Sequence, residues 1–87
     1  MKEISAKQIG RIRELDWEIF EEEDSDYPDR RVTTPKYIAI ERILESITDD
    51  EEEQRKILEI CSEHHPNDYT YKPICNKFRE LGYIILE

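Results

Sequence analysis

Apolar residues in this chain recur at intervals of three and four, and that spacing constrains the fold more than any other feature. Ile9, Ile12, Leu15, Ile19 and Phe20 form one stripe of a helix, with Trp17 off to one side. The start of that helix is written in the four residues before Ile9. Ser5 can accept from the amide of Gln8 while Gln8 reaches back, and Ile4 can pack on Ile9, so a capping box and a hydrophobic staple predict a helix over about 6–22.

The pattern repeats. Thr34 followed by Pro35 predicts a second helix, because proline at the first helical position sacrifices no hydrogen bond, and Tyr37, Ile40, Leu44 and Ile47 then share a face with Ile43 beside them. Thr48 and Glu51 offer another capping box, for a third helix burying Ile57, Leu58, Ile60 and Cys61 and ending near His64. A fourth helix is expected over 73–81, burying Ile74, Cys75, Phe78 and Leu81, with Gly82 as its left-handed C-terminal residue. The closing "YIILE" is β-prone and too short to stand alone, and "RRVTT" is the partner candidate within the chain. The expected architecture is therefore mainly α: a single small four-helix domain over 1–87, with a short two-stranded β ribbon joining about 30–34 to 83–87.

Charge sets the function classes. The chain has 22 acidic and 13 basic side chains and a net charge of -9, which disfavours a protein whose main task is gripping phosphate backbones. The acids are concentrated in two blocks, Glu21, Glu22, Glu23, Asp24 and Asp26, then Asp49, Asp50, Glu51, Glu52 and Glu53. On a helix rising about 1.5 Å per residue, consecutive acids approach the charge density of a duplex, about one per 1.7 Å. Such blocks suit a basic partner and suggest nucleic-acid mimicry; a solvated face with favourable helix N-terminal charge is the plainer alternative. Tyr27, Tyr69 and Tyr71 lie beside acids and prolines, where aromatic anchors of interfaces are found, although partial burial in the core would explain each as well.

The stretch "CSEHHPNDYTYKPIC" holds both cysteines and both histidines. Cys61, His64 and His65 at i, i+3 and i+4, with Cys75 returning, supply enough ligands for zinc, but the second short-spaced pair of a structural site is missing. Buried cysteines that behave as small hydrophobes, and histidines at a helix C-terminus, account for the same residues. No metal ligand and no cofactor are therefore assigned. No phosphate-binding glycine motif, HExxH or GxSxG is present, and the reading is of a non-enzyme.

His65, Pro66, Asp68, Tyr69, Tyr71 and Pro73, following an acidic helix, resemble the helix II to helix III region of the colicin DNase immunity proteins. The resemblance covers about a quarter of the chain and departs in its shorter Pro66-to-tyrosine spacing and its long additional N-terminal helix. It implies that Asp68, Tyr69 and Tyr71 belong with the acids in contacting a nuclease.

The leading expectation is a cytoplasmic, non-enzymatic inhibitor or immunity-type module that docks acidic faces on a basic, nucleic-acid-handling protein, without direct nucleic-acid binding and without a membrane. Two alternatives stand beside it. One is a winged-helix or helix-turn-helix regulator that uses residues 72–81, with Lys72, Lys77 and Arg79 facing DNA and a dimer through the N-terminal helix. The other is an adaptor stapled by zinc.

Overall fold

Ser5 starts the first helix as its chemistry requires. In the computed structural model, which describes residues 2–87, Ser5 Oγ accepts from Gln8 N at 3.0 Å and Gln8 Oε1 accepts from Ser5 N at 2.8 Å. The elements run β1 (Lys2–Ser5), α1 (Ala6–Glu23), α2 (Arg30–Ile47), α3 (Glu51–Cys61), α4 (Asp68–Glu80) and β2 (Tyr83–Leu86), a mainly α domain with one short two-stranded sheet.

The sheet corrects one expectation. β2 pairs with β1, in parallel and with Lys2 opposite Tyr83 and Ser5 opposite Leu86, and not with residues 30–34. Those residues are instead the first turns of α2. Asp29 caps it, its Oδ1 accepting from Arg31 N at 2.9 Å, so the helix begins well before Thr34 and Pro35 becomes its sixth residue. A proline there removes one helical hydrogen bond, whose acceptor would be the carbonyl of exposed Arg31, where water can serve it. Pro73 is likewise the sixth residue of α4, which starts at Asp68 and not at Pro73, because Asn67 and Thr70 form a capping box there. The third helix differs at both ends. Asp50, not Thr48, is the cap, accepting from Glu52 N and Glu53 N. The helix stops at Cys61 instead of His64.

α1 and α2 form an antiparallel hairpin, tied at one end by Gln8 and Ser46 (3.2 Å) and at the other by Lys36 and Glu18 (2.9 Å). One cluster of buried residues joins all six elements: Ile4; Ile9, Ile12, Leu15 and Ile19; Ile40 and Leu44; Ile57 and Cys61; Ile74, Cys75 and Phe78; and Tyr83. Burial of each large aliphatic side chain stabilises by about 1.5–3 kcal/mol, which is how so charged a chain holds a core. Phe20, Tyr37 and Leu81, expected on the buried faces, are exposed. Gly82 has φ +92°, the left-handed conformation that turns α4 into β2. No helix among the described residues is long and apolar enough to cross a membrane.

Candidate functional site

The turn between α1 and α2 gathers the first acidic block. α1 ends at Glu23, and Asp24 caps it by donating its backbone N–H to Phe20 O at 3.0 Å. Two of the acids serve the turn itself. Glu22 Oε1 accepts from Asp29 N at 3.1 Å and Glu23 Oε1 accepts from Tyr37 OH at 2.5 Å, which ties the turn to α2 and holds the Tyr37 hydroxyl above its ordinary pKa. Glu21, Asp24 and Asp26 are exposed, and their side chains take no hydrogen-bond partner among the described residues. At the tip stands Tyr27, 91% exposed. A large ring therefore stands in water within three residues of the free carboxylates of Asp24 and Asp26.

The second block lies elsewhere. Asp49, Glu51 and Glu52 are exposed, Asp50 caps α3, and Glu53 is half-buried, accepting at Oε1 from Lys2 Nζ (3.1 Å) and Tyr83 OH (2.6 Å). Those bonds, Tyr83 first, hold its carboxyl below the usual carboxylate range. Lys2 places this block beside β1, next to the start of α1, whereas the first block follows the end of α1. An 18-residue helix is about 27 Å long, so the blocks sit at opposite ends of a molecule measuring 42 × 29 × 20 Å.

Asp68, Tyr69 and Tyr71 open α4. Asp68 and Tyr71 border Gly10, Arg13 and Glu14 near the middle of α1. Tyr69 is 93% exposed, whereas Tyr71 is half-buried and its hydroxyl has no hydrogen-bond partner. Burial, followed by the neighbouring Cys75, pushes the Tyr71 phenol up to about 12. The fourteen residues picked out from the sequence thus fall into three places and not one patch.

The other sequence candidates are also located. Cys61 and Cys75 are free and buried, while His64 and His65 are exposed in the connection after α3, so the shortened helix no longer carries them on one side. Among the described residues no group of three or more His, Cys, Asp and Glu is arranged to hold a metal ion. On α4, Lys72 is exposed, Lys77 pairs with Glu63, and Arg79 Nη1 donates to Asn76 at 3.2 Å. β2, which would lead into a wing, is occupied by β1.

One feature escaped the sequence pattern. Arg13 lies within the apolar stripe of α1 and is only 4% exposed, and with Asp16, Trp17 and Phe20 it walls a cleft closed on the other side by residues 62–66. The signal available was the spacing of Arg13, Trp17 and Phe20, i, i+4 and i+7.

Compared with protein-family models, curated proteins and solved structures, the chain matches none. The resemblance to the immunity proteins rests on the residues around Pro66 alone. In the structure Asp68 and Tyr69 lie beyond the far end of α3 from Asp49–Glu53, since α3 spans 11 residues, about 16 Å.

Proposed function

We propose that this protein is a non-enzymatic interaction module of the cytoplasm, an inhibitor or immunity-type protein that docks an acidic face on a basic protein that handles nucleic acid. The observation that carries the reading is the α1–α2 turn, where Tyr27 is 91% exposed and follows the exposed acids Glu21, Asp24 and Asp26 along the chain. Free carboxylates at the tip of a helical hairpin steer a cationic partner and raise the association rate. A tyrosine with two side-chain torsions then buries a large amphipathic surface at low entropic cost and slows dissociation. The turn is braced by Glu22 on Asp29 and by Glu23 on Tyr37, so it meets a partner already shaped. Tyr69 beside Asp68 repeats the aromatic–acid pairing on a second surface.

The test is capture of partners from nuclease-treated host lysate by the tagged protein, washed at low and then high salt, in parallel with two variants. Tyr27→Ala removes the anchor; Glu21→Gln with Asp24→Asn and Asp26→Asn removes charge while leaving the bracing Glu22 and Glu23 intact. A basic protein retained by the parent at low salt, released at high salt and bound at least about thirtyfold more weakly by Tyr27→Ala, the loss of one hot-spot residue, is the expected result. A partner held equally by the parent and both variants removes the turn from recognition.

A further inference from the structure

Arg13 is a buried cation that makes no ion pair among the described residues. Its guanidinium keeps its charge at any ordinary pH. Nη2 donates to His65 O at 3.2 Å and to Thr70 Oγ1, an oxygen that itself donates to His65 O at 2.7 Å, but Nε is sealed from solvent with no partner at all. None of the five ion pairs among the described residues includes it. Burial acts on it first, and Cys61, Cys75 and Tyr71 after that, while Asp16 lines the same cleft. Burial pushes the Cys61 thiol and the Tyr71 phenol each up to about 12, so both are neutral at pH 7 and balance nothing. A buried charge without an ion-pair partner is costly, and the carboxylate of a ligand would offset that cost.

The space beside Arg13 is shaped for such a ligand. The cleft has a volume of about 220 Å³, enough for a single ring and its substituent. Trp17 and Phe20 stack at 5.3 Å between ring centroids, and His65 meets Trp17 edge-on at 4.2 Å. One wall is thus aromatic and carries the unbalanced guanidinium. Two acids also border the space. Glu63 is already paired with Lys77, whereas Asp16 has no ion-pair partner among the described residues and sets a negative charge on the wall. A dianion such as phosphate meets that repulsion twice over, and a single carboxylate meets it once.

We propose that this cleft binds a small aromatic monocarboxylate, with its carboxylate against Arg13 and its ring against Trp17 and Phe20. The site lies apart from Tyr27 and does not rest on the docking role of the α1–α2 turn. Nε is sealed and Nη2 is engaged by His65 O and Thr70, so Nη1, which makes no hydrogen bond among the described residues, is the donor left for that carboxylate.

Trp17 is the single tryptophan, so its fluorescence reports the cleft directly. The experiment titrates the full chain with benzoate at fixed ionic strength, and with benzyl alcohol and inorganic phosphate as comparisons. The expected result is a saturable change with benzoate, at least about tenfold weaker binding of both comparison compounds, and a similar loss in Arg13→Lys, whose single ammonium cannot hold His65 O and Thr70 and reach the ligand as well. Phe20→Ala, at a position 55% exposed, should weaken benzoate while leaving the thermal melt close to that of the parent. No saturation with benzoate, benzyl alcohol bound as well as benzoate, or phosphate bound more tightly would each overturn the proposal. The three-ligand comparison needs only the unmodified protein, so it decides the matter even if Arg13→Lys fails to fold.

Discussion

Tyr83→Phe tests how the two ends of the chain are locked to the helical body. The Tyr83 hydroxyl donates to Glu53 Oε1 at 2.6 Å, and Lys2 Nζ donates to the same oxygen at 3.1 Å, so one carboxylate ties β2, β1 and α3. The ring is 4% exposed and meets Phe78 edge-on at 5.6 Å, a contact that phenylalanine preserves. The substitution therefore removes one hydrogen bond to a charged group, of the class that contributes about 1.5–3 kcal/mol. Glu53 keeps Lys2, and its side chain retains 15% exposure, so it is not stranded and the lower part of that range applies, about 1.5–2 kcal/mol. For a domain of this size the melting temperature should fall by about 6–16 °C at pH 7.

The pH dependence sharpens the prediction. The carboxyl of Glu53 is held below its ordinary value, by the Tyr83 hydrogen bond first and by Lys2 second. Its folded pKa thus lies below its unfolded one, so its stabilisation is fully present above the unfolded value and is lost as pH falls through the folded value. Tyr83 stays protonated throughout, its pKa raised by burial and then by Glu53, and it can donate at every pH of interest. In acid the same bond reaches a neutral carboxyl, and the penalty of Tyr83→Phe should shrink to about 0.5–1.5 kcal/mol. Urea or thermal denaturation followed by circular dichroism, from pH 7 down to pH 3, measures both limits. A substitution that costs nothing at pH 7, or costs the same at both ends, refutes the account; so does a double-mutant cycle with Glu53→Gln whose coupling is below about 0.5 kcal/mol.

The other predictions concern the core, the glycines and the thiols. Phe78→Ala empties a fully buried site at the junction of α4 and β2 and should cost about 3–5 kcal/mol in denaturant titration. The two glycines should respond with opposite signs: Gly82→Ala, at φ +92°, should destabilise by about 1–2 kcal/mol, whereas Gly10→Ala, mid-helix with open space around the new methyl, should stabilise by about 0.5–1 kcal/mol. Cys61 and Cys75 are 1% and 3% exposed, and burial pushes the Cys61 thiol up to about 12, so the native chain should resist an aromatic disulfide reagent at pH 8 and both thiols should react in urea. Rapid labelling of the native protein would contradict the packing of α3 against α4.

What could be read along the chain was what one or two helical turns decide. The Ser5–Gln8 box, the face of Ile9, Ile12, Leu15 and Ile19, and the left-handed Gly82 are local bargains between neighbouring residues, and the fold keeps them. The prolines misled because their effect depends on which residue upstream caps the helix; Asp29 and Asn67 took that role, leaving Pro35 and Pro73 one turn inside. The exposure of Tyr27 could not be read from its neighbours, since a tyrosine beside a proline is as ready to fold inward as outward. It depends on the hydrogen bonds of Glu22 and Glu23 across the hairpin.

The partner of β2 was the least local question. Two strands can lie parallel only when the chain between them crosses back, and here that crossing is the whole helical body, from Ala6 to Gly82. Lys2–Ser5 carries too little pattern to announce itself as a strand, and it becomes one because Ile4 is drawn into the core opposite Ile85 and Lys2 reaches Glu53. Arg13 was settled in the same way. Its place within an apolar stripe was written in the sequence, but its lack of an ion pair was decided when α3, α4 and the connection between them closed over it with one carbonyl, two thiols and two hydroxyls. Helix by helix, this protein is specified by neighbours; its sheet and its cleft are specified by residues that meet only after the helices have packed.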